Sequence, residues 1–255
     1  MGPRWFSSSW STSVRNVKLI VEYEGTRYHG WQEQAGKATV EGALKTAIHA
    51  LCGERPELTA AGRTDAGVHA LGQCVNFRLA GPFPVEQLPG ALNSRLAADI
   101  AVRHAEVVDD SFNARYSAQV RRYAYRIRQA LPKGAYQRQY AWGLRDTLDL
   151  AGMQAAGVKL EGRHDFRAFG RSPRPGGHTV RRVHDLNVNG QGEWVTIVVA
   201  ADAFLYGMVR RMSGALVEVG RRRRPLEWID ELLNGSTLGL RPAPAVGLVQ
   251  VAVEY

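Results

Sequence analysis

The side chains best equipped for chemistry fall in one short glycine-rich stretch, Gly62-Arg63-Thr64-Asp65-Ala66-Gly67-Val68-His69-Ala70. A carboxylate there can act as nucleophile or base, provided that it stays ionised and sheltered from water. Arg63, two residues before it, is a fixed positive charge that could keep Asp65 ionised or could hold a phosphate in a forked contact. Gly62 and Gly67 allow the tight, exposed excursion such a loop needs. The same composition also describes an ordinary turn, in which the aspartate only accepts backbone N–H groups. The loop alone leaves both readings open, so its partners must come from elsewhere in the chain.

Two candidates lie downstream. In Arg121-Arg122-Tyr123-Ala124-Tyr125-Arg126-Ile127-Arg128, alternation puts Tyr123, Tyr125 and Ile127 on one face and Arg122, Arg126 and Arg128 on the other. Aromatic rings beside arginines suit base stacking, while either tyrosine could equally be core, Tyr125 more readily than Tyr123. Further on, Phe204, Met208, Met212, Leu216 and Val219 form an i, i+4 apolar stripe from which Arg210 and Arg211 depart. An arginine on such a helix needs solvent or a carboxylate, and Asp65 would serve. His69 and His164 are read as structural hydrogen-bonding residues rather than as acid or base.

Hydrophobic spacing predicts the elements that must position these groups. Strands are expected over 17–23, 73–79, 100–108, 120–128, 180–188, 194–200 and 247–255, with a short one over 57–60. Helices are expected behind Thr39 and ending at Gly53, from Pro84, over 148–160 behind Thr147, and over 204–219. The order is βαββαβ twice. It predicts an α+β fold of two related split βαβ (RRM-like) halves, with antiparallel sheets, helices on one face and a basic cleft between the halves. The expected division is a flexible tail over 1–15, an N-terminal α+β domain over 16–110 carrying Asp65, and a C-terminal α+β domain over 111–255 carrying Tyr123 and Arg210. Three segments remain ambiguous. Tyr28-His29-Gly30-Trp31-Gln32 reads as a base-contacting surface or as a buried Trp anchor. The Pro- and Gly-rich loop over 170–177 reads as an RNA contact or as plain surface, and the arginine run over 221–224 as a phosphate site or as a solvated helix end.

Composition narrows the partner. The 255 residues are 45% hydrophobic, enough for sizeable cores, and 33 Lys plus Arg against 24 acids leave a net charge of +9. That balance favours a polyanion, with nucleic acid the leading class. The two cysteines, Cys52 and Cys74, form neither a CxxC pair nor a set with histidines, so no metal site and no disulfide is expected. No apolar run approaches the roughly 20 residues that span a bilayer. The expected location is cytoplasmic.

The stretch over 62–70 resembles the signature of the tRNA pseudouridine synthase A family. Tyr28-His29-Gly30-Trp31-Gln32, Arg121-Arg122-Tyr123-Ala124-Tyr125, Glu161-Gly162-Arg163-His164-Asp165-Phe166, Phe204-Leu205-Tyr206-Gly207-Met208-Val209-Arg210 and Ala243-Pro244-Ala245-Val246-Gly247-Leu248 follow in the family's order. The resemblance covers essentially everything after the tail. It implies isomerisation of uridine to pseudouridine in the anticodon stem-loop of tRNA, at positions 38 to 40, by a homodimer that uses no cofactor and no metal. It maps the nucleophile to Asp65, the tyrosine that packs on the target base to Tyr123, and the basic partner of the aspartate to Arg210. Arg63 is the candidate to fill the place of the extruded base or to hold its phosphate. Family members often carry His-His where this chain has Tyr206-Gly207, and Asn where it has Arg211, so no role of those flanking residues is carried over. Two rivals have different consequences. In a non-catalytic RNA-binding protein Asp65 would be dispensable, and a metal-dependent nuclease using Asp65 and His69 would need an acidic cluster the chain does not display.

Overall fold

The computed structural model describes residues 14–129, 135, 137–172 and 176–255. Most of the expected tail over 1–15, and Pro173, Arg174 and Pro175 of the proline-rich loop, lie outside the described residues. The first half runs β1 (Arg15–Tyr23), α1 (Val40–Cys52), β2 (Thr59–Ala60), β3 (His69–Leu79), a 3-10 turn over Val85–Gln87 continuing into α2 (Leu88–Asn93), and β4 (Ile100–Val108). The second runs β5 (Val120–Gln129), β6 (Trp142–Leu144), α3 (Leu150–Leu160), β7 (Gly162–Asp165), β8 (Val180–Gln191), β9 (Trp194–Ala201), α4 (Met208–Gly220), α5 (Trp228–Leu233) and β10 (Leu248–Glu254).

Local chemistry sets most of these boundaries. Val17, Leu19, Val21 and Tyr23 alternate into the core along β1. Thr39 caps α1 by accepting the Gly42 N–H, and Gly53 ends it at φ 74, a left-handed angle that a side chain would resist. α3 starts later than expected, because Asp149 rather than Thr147 caps it by accepting the Gly152 N–H at 3.0 Å. α4 likewise starts at Met208 rather than 204, since Gly207 sits at φ 74 and forms the turn into the helix.

The expected pair of separate antiparallel sheets is corrected to one. The strand order is β4-β1-β3-β10-β5-β9-β8-β7, with β2 on β3 and β6 on β5. β10 joins the halves, antiparallel to β5 and parallel to β3 through the pairs Val249–His69 and Gln250–Ala70. Both β3 and β10 would otherwise expose an unpaired edge, and joining satisfies those backbone groups.

The helices do share one face. Ala70, Gln250, Tyr123 and Val199 are register partners across β3, β10, β5 and β9, so their side chains point the same way. Ala70 belongs to a core closed by Leu44 and Ile48 of α1 and by Leu88 and Leu92 of α2. Val199 belongs to a second core closed by Met153 of α3, Met212 and Leu216 of α4, and Trp228 of α5. A small cluster of Ala61, Cys74 and Ala114 sits apart from both. Cys52 and Cys74 are free thiols. Among the described residues no helix is long and apolar enough to cross a membrane.

Candidate active site

The glycine-rich stretch forms the loop between β2 and β3, and its backbone is tied down at each step. The Ala61 N–H donates to Cys74 O at 2.9 Å, and Gly62 O accepts the Gln73 amide at 2.5 Å. Thr64 Oγ1 and the Tyr23 hydroxyl are 2.7 Å apart, and Thr64 O accepts the Trp31 N–H at 3.0 Å. Gly30, at φ 92, packs flat on this segment: a Cβ there would lie 2.7 Å from Thr64 O. Trp31 is fully buried, so the aromatic motif of the first half is an anchor under the loop. Tyr28 donates its hydroxyl to Asp99 at 2.7 Å, and burial first, then that acid, push its phenol up to about 12.

Asp65 turns its carboxylate toward α4. Arg210 Nη1 donates to Asp65 Oδ2 at 3.1 Å, with the side chains 23% and 11% exposed respectively. Arg210 is itself aimed by a second bond, from Nε to Ala243 O at 2.8 Å, while Ala243 N–H returns to Arg210 O at 2.9 Å. The segment carrying Ala243 can lie this close because Gly214 faces it; a Cβ at 214 would fall 2.1 Å from Arg241 O. The expected meeting of a departing arginine with the loop aspartate is thus present, whereas Arg211 reaches back to Phe169 O and Tyr206 O.

Tyr123 forms the adjoining wall. It is 7% exposed against 0% for Tyr125, whose hydroxyl donates to Pro244 O at 2.8 Å within the core. Phe204 meets the Tyr123 ring edge-on at 5.1 Å between centroids, and the Tyr123 hydroxyl lies 3.5 Å from where a Cβ on Gly62 would be. Burial raises the Tyr123 phenol well above its ordinary value, the nearby Arg121 opposing and Asp65 adding to the rise. It therefore stays neutral.

Arg63 is exposed and has no ion-pair or hydrogen-bond partner among the described residues, although Asp65 is two residues away. His69 is fully engaged: Nδ1 accepts the Gly25 N–H at 3.0 Å, and Nε2 faces Gln139 O at 2.9 Å and Val246 O at 3.2 Å. The Glu24 carboxylate also lies 3.5 Å from Nδ1, so both ring nitrogens are engaged within the fold. His164 similarly faces Glu161 O at 2.6 Å. Among the described residues no group of three His, Cys, Asp or Glu side chains could hold a metal ion.

Arg126, Arg128 and the arginines over 221–224 have partners of their own. Arg126 and Arg128 stand over the Trp194 ring at 4.8 and 5.6 Å, on the sheet face opposite Tyr123, so they do not share a base with it. In the run over 221–224, Arg221 pairs with Asp146 at 2.7 Å, Arg222 with Asp149 at 3.1 Å and Arg223 with Asp146 at 3.3 Å, while Arg224 lies over Trp228. Sequence reasoning passed over Gln73 and Gln250, both fully buried and joined at 3.3 Å beneath the loop. A glutamine inside the apolar run Leu248-Val249-Gln250-Val251 was the available signal.

A family model described as tRNA pseudouridine synthase matches residues 19–117 and 156–255. The tRNA pseudouridine synthase A of Thermoanaerobacter sp. (strain X514) is 40% identical over 244 residues, covering 95% of this chain and 100% of the relative. That of Moorella thermoacetica is 43% identical over 243 residues, covering 94% and 99%. That of Myxococcus xanthus is 39% identical over 242 residues, covering 94% and 91%. Matched along almost its whole length and on both sides of the Asp65–Arg210 contact, the chain belongs to the tRNA pseudouridine synthase family.

Proposed function

We propose that this protein isomerises uridine to pseudouridine in the anticodon stem-loop of tRNA, at positions 38 to 40, with Asp65 as the nucleophile. The glycosidic bond from ribose C1′ to uracil N1 breaks, the uracil turns, and C1′ bonds to C5; the C5 proton is released and N1 gains one. No atom is added, and no redox cofactor or metal enters this balance. The observation that carries the reading is the contact of Arg210 with Asp65 at 3.1 Å beside the buried ring of Tyr123. A guanidinium at that distance gives the carboxylate a charge-assisted hydrogen bond that orients it for nucleophilic attack. Attack at uracil C6 and attack at ribose C1′ both start from that group.

Arg210 holds and orients Asp65, and Tyr123 packs on the target base. Arg63, exposed at the loop tip and without a partner among the described residues, enters the space the extruded base leaves or takes its phosphate. The two halves, over 16–110 and 111–255, supply opposite sides of the site and are two related units, with β6, β7 and α5 added to the βαββαβ order in the second. The net charge of +9 suits a tRNA substrate. The working form is a cytoplasmic homodimer. The test is Asp65→Asn on unmodified tRNA, with pseudouridine mapped by position. The native chain should modify the anticodon arm and leave every strand intact, and the variant should not; turnover retained by Asp65→Asn removes Asp65 from the mechanism.

A further inference from the structure

Arg121 is 8% exposed, and its guanidinium has no carboxylate within ion-pair distance among the described residues. Four backbone carbonyls take its donors instead. Nε donates to Ala61 O at 3.1 Å, Nη1 to Ala118 O at 3.2 Å and to Asp202 O, and Nη2 to Arg115 O. The nearby Asp202 carboxylate is turned away and accepts the N–H groups of Arg182 and Ala203 at 3.2 and 2.6 Å. A buried cation without a counter-ion is an unfavourable way to fill a core, and an apolar side chain would serve packing alone better.

The four carbonyls come from three separate segments. Ala61 is the root of the Asp65 loop. Arg115 and Ala118 belong to the connection between β4 and β5. Asp202 opens the turn that brings Phe204 against Tyr123 and then leads into Arg210. Arg121 lies two residues before Tyr123 on β5, and the alternation of burial along that strand puts both on the same side.

We propose that Arg121 is a positioning residue for the isomerisation: one guanidinium holds the Asp65 loop, the Tyr123 strand and the Phe204–Arg210 turn at fixed separations. The proposal rests on the site reading given above. A planar fork of five N–H donors can reach carbonyls in several directions at once, which the compact ammonium of lysine cannot do. Reacting groups displaced by about 1 Å lose on the order of 100-fold in rate.

The experiment compares Arg121→Ala, Arg121→Lys and Asp65→Asn in the full chain, measuring kcat, KM and tRNA binding with unmodified tRNA. Both Arg121 variants should lose about 100-fold in kcat while KM and binding stay within about threefold. Added guanidinium should restore part of the activity of Arg121→Ala, because it refills the same four-carbonyl socket. A folded Arg121→Lys with kcat within about threefold of native overturns the proposal, as does a kcat loss matched by an equal loss of tRNA binding. If Arg121→Ala melts below the assay temperature, Arg121→Lys decides on the same criteria. Asp65→Asn separates the two failures: turnover there defeats the site reading, whereas an inactive Asp65→Asn beside native-like Arg121 variants defeats only the positioning role.

Discussion

Arg210→Met keeps the apolar stem of the side chain and removes the guanidinium that faces Asp65 Oδ2 at 3.1 Å. Two unit charges about 4 Å apart interact by roughly 4 kcal/mol at an effective dielectric near 20. Exposures of 23% for Arg210 and 11% for Asp65 mean partial screening, and desolvation offsets part of the attraction. Breaking the contact should then cost about 2–3 kcal/mol of stability, much of it from a carboxylate left half-buried and unpaired. Adding Asp65→Asn removes that unpaired charge and should recover about 1–2 kcal/mol, the rest being the lost bond to Ala243 O. Urea unfolding of the native chain, the two single variants and the double variant measures the coupling directly. The same 2–3 kcal/mol, transferred to the reacting carboxylate, corresponds to a fall in kcat of about 30- to 150-fold for Arg210→Met. Single-variant effects that add to within about 0.5 kcal/mol, or a kcat within about threefold of native, would refute the reasoning.

Tyr123→Phe keeps the ring that meets Phe204 at 5.1 Å, so KM for tRNA should stay within about threefold, whereas Tyr123→Ala loses a stacking surface worth roughly 1–3 kcal/mol. Steady-state kinetics in which Phe and Ala fall equally would place the function in the hydroxyl rather than the ring. Gly30→Ala puts a Cβ 2.7 Å from Thr64 O at a φ of 92 and should lower stability by about 1–3 kcal/mol, read by thermal melting, with kcat falling as the Asp65 loop shifts. Burial works to raise the Asp99 carboxyl, but hydrogen bonds from Tyr28 and Arg27 hold it below its ordinary 3.8. Because the folded value is the lower one, its contribution is present above that ordinary value and is lost as pH falls through the folded value. Asp99→Asn should therefore flatten the stability profile below about pH 4, and parallel acid unfolding curves for the two proteins would sink this assignment.

The convergence of Asp65 and Arg210 was legible because Arg210 is anomalous where it stands, an arginine leaving an apolar stripe and needing solvent or a carboxylate, and Asp65 was the loop carboxylate on offer. Burial then restricts what can satisfy either. The strand calling for least inference was β1, whose Val17, Leu19, Val21 and Tyr23 period follows from one buried face. The union of the halves was not legible. It depends on two residue pairs between β3 and β10, far apart in the chain, and no local pattern encodes a partner for a second strand edge. Arg126 and Arg128 show a different limit. Alternation put them correctly on the face opposite Tyr123, yet that separation is what prevents them from flanking the same base. α5 escaped notice because six residues are too short to display a helical period beside the arginine run.

The seam between β3 and β10 also explains why the site is where it is. Two apolar cores on one face of one sheet could have merged into a single larger core across the row from Ala70 to Val199. Instead Gln250 and Tyr123 occupy the middle of that row, with Gln73, Tyr23 and Thr64 beside them, and a buried polar row is unfavourable unless its groups find partners. The Asp65 loop supplies two of them: Gly62 O takes the Gln73 amide, and Thr64 meets the Tyr23 hydroxyl. Gln250 Oε1 has no partner among the described residues, so the loop satisfies part of the seam, and the seam fixes the backbone on both sides of Arg63. Because Gly62 and Thr64 are held while the Arg63 side chain between them has no partner among the described residues, the loop combines a rigid platform for Asp65 with one exposed arginine. Neither core alone could provide that combination, since a loop over purely apolar residues would have its carbonyls unpaired or its backbone in solvent.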